Sequence, residues 1–165
     1  MQSKRFVTAA TVFMAAILAG CGSTTPSAAV ASPSPAASPA SSPAAAAATI
    51  KVAADAKLGQ ILVNGEGMTV YLFVADTSTA STCYTSCAAI WPPVVTTGAP
   101  VAGTAAKASL LGTTTRTDGK VEVTYAGHPL YYFIQDKKPG DTTGQGVNGF
   151  GALWWVLAPS GAAMH

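Results

Sequence analysis

Charge is scarce in this 165-residue chain: only 10% of its residues are Asp, Glu, Lys or Arg. Nine basic residues stand against seven acidic ones, a formal net charge of +2. That excess is too small to neutralise a phosphate backbone, so nucleic acid is excluded as a partner. Cysteine and histidine are scarce as well, three and two residues. The sequence has no zinc-type ligand spacing, no c-type haem Cys-x-x-Cys-His and no Ser-His-Asp set in a known context, so no cofactor or metal is expected. Long apolar runs are also missing. Residues 6–18 are apolar or small but number thirteen, short of the roughly 20 that span a bilayer as a helix. A hydrophobic content of 49% rules out a wholly disordered chain. Thirty-three of those residues are alanine, many of them in the first fifty positions.

Residues 1–20 read as a secretion signal. Lys4 and Arg5 supply the basic start, residues 6–18 the apolar stretch, and Leu18-Ala19-Gly20-Cys21 a lipobox-like end. Lipidation of Cys21 is expected, because a thiol is the nucleophile that forms the thioether and small residues suit the peptidase cleft. Residues 21–49 form a tether. From position 22 onward, 26 of 28 residues are Ala, Ser, Pro or Thr, and five prolines prevent a continuous helix. Its reach lies between about 30 Å as a coil and on the order of 90 Å fully extended. Once the signal leaves, seven basic residues face seven acidic ones, so the mature chain is neutral and depends on its acyl chains for attachment.

Residues 50–159 are expected to form one β domain containing a duplication, repeat one at about 50–97 and repeat two at about 109–158. Segments 58–76 and 118–136 align without a gap at an offset of 60, and six of nineteen positions are identical. They are Gly59/Gly119, Val63/Val123, Gly67/Gly127, Tyr71/Tyr131, Phe73/Phe133 and Asp76/Asp136. Trp91 in the first copy answers Trp154 or Trp155 in the second. Apolar β-branched and aromatic runs predict strands at 50–54, 61–63, 68–74, 111–116, 120–125, 129–134 and 153–157. Asn64-Gly65 and Asp118-Gly119 are hairpin signals. Residues 121–125 alternate, which predicts one buried and one wet face. A helix is expected over 82–90, capped by Ser81 or Thr82 and stopped by Trp91-Pro92-Pro93, with a weaker candidate at 105–111. The fold class is mainly β, with antiparallel sheets built from two pseudo-equivalent β-meanders and one or two short helices. Sandwich and barrel stay open.

Cys83 and Cys87 have three readings: a structural disulfide, a redox pair, or half of a metal site lacking its other ligands. A regular helix would hold their Cβ atoms about 5–6 Å apart, whereas a disulfide wants about 3.5–4.5 Å. Asp76 and Asp136 end matching strands. They suit Asx turns better than an acid–base pair, since a repeated position implies a repeated local task. Tyr71, Phe73, Tyr131 and Phe133 share a face and are expected in the core. The five glycines of residues 140–151 predict a mobile loop rather than a phosphate loop, because no strand, helix and Lys-Ser/Thr surround them. This loop matches the Cys83 loop of the first copy, and a binding rim is expected near Trp91, Trp154, Trp155 and His128. His128 reads as a solvated turn residue. His165 and Met164 read as a frayed tail.

Tyr71-x-Phe73-x-x-Asp76 and Tyr131-x-Phe133-x-x-Asp136, with Cys83-x3-Cys87 leading to Trp91-Pro92-Pro93 and the glycine run after Gly140, resemble the bacterial secreted-repeat lipoproteins that carry a Yx(F/W/Y)xxD motif. The likeness covers nearly all of residues 50–158. It implies an exported, often lipid-anchored protein without an assigned activity and supplies no catalytic residues. Family members often have Lys or another polar residue at the place of His128, which argues against a metal role there. The resulting expectation is a membrane-anchored extracytoplasmic lipoprotein with a non-catalytic binding or scaffolding role toward an envelope protein or the cell wall. The alternatives are a redox or electron-transfer accessory using Cys83, Cys87 and nearby aromatics, and an envelope hydrolase using Asp76 or Asp136.

Overall fold

A computed structural model describes residues 46–165. Cys21, the signal segment and most of the tether lie outside the described residues. The chain runs through β1 (Thr49–Asp55), β2 (Gly59–Asn64), β3 (Tyr71–Phe73), α1 (Ser86–Ile90), β4 (Val101–Ala102), a 3-10 turn (Ala108–Leu110), β5 (Leu111–Thr115), β6 (Val121–Tyr125), β7 (His128–Pro129), β8 (Asn148–Gly149) and β9 (Ala152–Val156). Three small sheets result, in the orders β2-β1-β4, β3-β9-β8 and β5-β6-β7. Every named pairing is antiparallel except β1 with β4, where Thr49 meets Val101 and Ile50 meets Ala102 in parallel. Isolated bridges, Tyr71 to Tyr131 and Pro93 to Tyr131 among them, link the sheets.

The end of β2, β3 and most of β6 are buried on both faces. Ile61, Val63, Tyr71, Phe73, Trp154 and Val156 enter one cluster with Cys83, Cys87, Trp91, Tyr131 and Phe133. The alternate residues Leu62 and Leu72 enter a second cluster with Val94, Val123, Tyr125 and Leu130. Continuous apolar runs such as Ile61-Leu62-Val63 fit strands lying between two cores. The wet face expected on β6 is therefore absent: Glu122 and Thr124 are buried along with Val123 and Tyr125.

The two repeats meet at a local twofold axis. The Tyr71 amide donates to the Tyr131 carbonyl at 2.8 Å, and the Tyr131 amide donates to the Tyr71 carbonyl at 3.0 Å. Val74 N–H to Leu153 O is matched by Ile134 N–H to Ile90 O. Trp154, not Trp155, is therefore the counterpart of Trp91. The gapless alignment fails in one place. Leu62 N–H donates to Leu157 O, and its mate is Val123 N–H to Val94 O, so Leu62 answers Val123. The bridge from Val63 to Thr69 encloses five residues, while the Thr124–Pro129 pair encloses four, and this shifts β6 by one. Ile61 is then answered by Glu122, a substitution of a core aliphatic by a carboxylate.

Turn chemistry differs in detail from expectation. Gly119 does take positive φ, as does Gly59 in the first repeat, but in the turn after Asn64 the left-handed residue is Gly67 rather than Gly65. The Asn64 carboxamide explains this, since Oδ1 accepts from Glu66 N–H and Met68 N–H and draws out a longer turn. In the second repeat Ala126 and Gly127 both have positive φ and close the two-residue turn before His128. The expected helix over 82–90 shrinks to α1, and the weaker candidate becomes the 3-10 turn. Thr85 has φ 49°, which blocks helix on its N-terminal side. The Cys83 carbonyl, which a longer helix would use as the acceptor for Cys87 N–H, is already taken by Arg116.

Candidate functional site

Each Yx(F/W/Y)xxD motif is completed by the other repeat. The Tyr71 hydroxyl donates to Asp136 Oδ2 at 2.6 Å, and the Tyr131 hydroxyl donates to Asp76 Oδ2 at 2.6 Å. The second oxygen of each carboxylate is used just as symmetrically. Asp76 Oδ1 accepts from the amide and hydroxyl of Thr82, and Asp136 Oδ1 accepts from the amide and hydroxyl of Thr143. Both aspartates are buried. The Asx turns expected at the strand ends are thus replaced by longer reaches, to a threonine six or seven residues on and to a tyrosine across the axis. Burial, with the neighbouring Asp136, pushes the Tyr71 phenol well above its usual range. Burial pushes Tyr131 the same way, helped by Glu122 and Asp76. Both hydroxyls keep their protons and act as donors.

The rings form a second symmetric arrangement. Phe73 stacks on Trp154 with centroids 4.1 Å apart, Trp154 on Trp91 at 4.0 Å, and Trp91 on Phe133 at 4.2 Å. Tyr71 meets Trp91 edge-on at 5.4 Å, and Tyr131 meets Trp154 edge-on at 5.2 Å. Trp91 and Trp154 are 1% and 0% exposed, so they lie in the core instead of on the expected rim. The two indoles cover each other's faces, and alternation along β9 points Trp155 the other way.

Cys83 and Cys87 form a disulfide with Cα atoms 5.2 Å apart. The helical spacing problem does not arise, because Cys83 precedes α1. With both sulfurs bonded to each other, the thiolate metal pair is overturned. Among the described residues no three His, Cys, Asp or Glu side chains gather as metal ligands.

A polar cluster around Arg116 is encoded by no local pattern. Its guanidinium donates to Ser81 Oγ at 2.7 Å, to Glu122 Oε2 at 2.9 Å and to the Cys83 carbonyl at 2.7 Å, and lies 4.4 Å over the Tyr84 ring. The Ser81 and Tyr131 hydroxyls are 2.6 Å apart. Since the one O–H of Tyr131 is directed at Asp76, Ser81 donates to Tyr131 and accepts from Arg116. The Cys83 loop is in this way fixed onto β6. Side chains of Arg116 and Glu122 are 0% exposed. Burial raises the Glu122 carboxyl to about 7, against the opposing pull of Arg116. Burial also disfavours the Arg116 charge, but the bond and charge of Glu122 outweigh it and leave Arg116 raised. Glu122 Oε1 finds no donor among the described residues.

The glycine-rich segment is tied down where a mobile loop was expected. Thr143 binds Asp136, and Gly144 N–H donates to the Tyr71 hydroxyl at 3.3 Å. Gly146 N–H donates to the Trp154 carbonyl. The tail is likewise held, with Leu157 bridging Ala163 and Met164 N–H donating to Val156 O.

Two grooves flank the axis, and their walls are repeat-equivalent. One, of about 500 Å³, is lined by Met68, Tyr132, Phe133, Ile134 and Asp136, with Asn64, Gly65 and Glu66 at its edge. The other, of about 270 Å³, is lined by His128, Leu72, Phe73, Val74 and Asp76. Trp155, Ala163 and His165 narrow the second, and the His165 ring lies 4.7 Å edge-on to Trp155. His128 is half-buried in this groove and opens β7.

A family model described as a secreted repeat of unknown function matches residues 52–95 and 112–158. The chain belongs to this secreted repeat family. The two matched stretches coincide with the two halves related by the twofold axis. No curated protein and no solved structure matches the chain. Membership in a secreted family is consistent with an extracytoplasmic setting, and among the described residues no helix is long and apolar enough to cross a membrane.

Proposed function

We propose that this chain is a non-catalytic binding or scaffolding module of the cell envelope, held at a membrane by lipid on Cys21 and spaced from it by the Ala/Ser/Pro tether. One observation carries the reading. All four carboxylate oxygens of Asp76 and Asp136 accept hydrogen bonds from within the domain. An acid–base pair needs an oxygen within reach of a substrate proton, and these are occupied and buried. What the motif leaves accessible is the pair of grooves, the larger of them open beside Glu66. The thiol-exchange alternative has less support, because Cys83 and Cys87 are both buried and exchange requires an exposed sulfur.

A photo-crosslinking residue at Glu66, in the full chain within its own cells, tests the binding role against the same residue at exposed Lys57, which lies outside both grooves. A discrete envelope adduct at Glu66 and none at Lys57 is expected. Equal or absent labelling at both positions would contradict it. Radiolabelled lipid incorporation should be lost in Cys21→Ser, and retention would overturn the anchor.

A further inference from the structure

The four-ring stack runs from groove to groove. Phe133 lines the larger groove and Phe73 the smaller, with the parallel indoles of Trp91 and Trp154 between them. An indole is readily oxidised by one electron, and two indoles stacked 4.0 Å apart at 3° share the resulting charge. Each indole touches a tyrosine edge, and each tyrosine already directs its proton at a carboxylate oxygen 2.6 Å away. Phenylalanine at positions 71 and 131 would fill the same volume without burying a hydroxyl.

We propose that this column is a one-electron oxidation relay, with the Trp91–Trp154 pair as the entry point and the Tyr71–Asp136 and Tyr131–Asp76 pairs as the terminal sites. An oxidised transition-metal complex at either groove takes one electron from the indole pair through Phe133 or Phe73 and is itself reduced by one electron. The Tyr71 O–H bond then breaks. Its electron fills the vacancy on Trp91, and its proton passes to Asp136 Oδ2. The products are a neutral tyrosyl radical, a neutral carboxylic acid and a restored indole. Tyr131, Trp154 and Asp76 perform the same step in the other half. A one-electron reductant such as ascorbate reverses it, the carboxylic acid returning the proton. Because burial and the adjacent carboxylate hold both phenols protonated, the proton leaves only together with the electron. The relay does not depend on the binding role.

Flash-quench oxidation of the full-length chain, with photoexcited ruthenium tris-bipyridine and persulfate, tests this by transient absorption and electron paramagnetic resonance. An indole radical should convert to a tyrosyl radical, more slowly in D₂O. Tyr71→Phe and Tyr131→Phe should each lower the tyrosyl signal, and together abolish it while the indole radical persists. Asp76→Asn with Asp136→Asn should slow the conversion. Should a double variant fail to fold by circular dichroism, the single variants and the D₂O effect in the unaltered chain carry the test. Absence of the conversion in the unaltered chain would overturn the proposal. So would an undiminished tyrosyl signal in the Tyr→Phe variants, which would place the radical on Tyr84, Tyr125 or Tyr132.

Discussion

The Tyr71 hydroxyl donates its hydrogen bond to Asp136, sixty-five residues away, and not to Asp76, the carboxylate that ends its own motif. Tyr131 reverses the exchange by donating to Asp76. The repeat is therefore not a self-sufficient unit. Its tyrosine and aspartate are halves of two shared bonds, and a single copy would leave the tyrosine hydroxyl and one carboxylate oxygen without these partners, the other oxygen keeping its threonine. Burying a hydroxyl and a carboxylate costs stability unless each finds its partner, so the motif specifies pairing between copies as well as packing within one.

Gly144 marks the tightest point of this lock. A Cβ there would sit 2.8 Å from Trp91 Cη2 and 2.9 Å from the Tyr71 ring. Gly144→Ala is expected to lower stability by about 1–3 kcal/mol, the usual range for overpacking a filled core. Gly98→Ala is the control, since a Cβ there meets nothing within 4 Å. Urea melts of the two variants decide the matter, and equal midpoints would contradict the expectation.

Much of this was legible in the sequence. The duplication, the shared face of Tyr71 and Phe73 and the core role of the motif follow from spacing and residue type, whereas the Cys83–Cys87 bond is one of three readings and helical spacing argues against it. The partner of each tyrosine does not, because a strand's period of two fixes which face a side chain takes and not what lies across a symmetry axis. The one-residue slip of β6 was hidden because Val63 and Val123 are identical yet sit in different clusters. Glu122 looked like the wet position of an alternating strand. Its burial depends on Arg116 arriving from the preceding turn and Ser81 from the other repeat, contacts that no local pattern encodes. Tryptophans beside loops suggest a rim, and that is the place expected for Trp91 and Trp154. Their mutual stacking across the axis moves them inside.

Glu122 makes stability depend on pH. Its folded carboxyl titrates near 7 against 4.5 for an ordinary Glu. Between those values the folded state holds a proton that the unfolded state has lost, so this contribution is full below 4.5 and fades as pH rises through 7. The upper bound is about 3 kcal/mol across the window. Glu122→Gln should flatten that part of the stability profile. Thermal melts from pH 4.5 to 8 on both proteins measure it, and parallel profiles would refute the assignment.

The disulfide closes a short loop, so its removal should be mild. Cys83→Ser with Cys87→Ser is expected to cost about 2 kcal/mol by loop entropy alone. Arg116 still holds this loop through the Cys83 carbonyl. A cooperative melt at lower midpoint is predicted. Loss of folding would mean that the bond, and not the Arg116 cluster, fixes the loop.

The interlocking of the repeats is tested most directly by two double-mutant cycles read by chemical denaturation. Tyr71→Phe with Asp136→Asn breaks one bond from both ends, and a coupling of about 1.5–3 kcal/mol is predicted for a buried hydrogen bond to a charged group. Tyr71→Phe with Asp76→Asn spans a single motif and should be additive within about 0.5 kcal/mol. Additivity in the first cycle and coupling in the second would contradict the exchange between repeats.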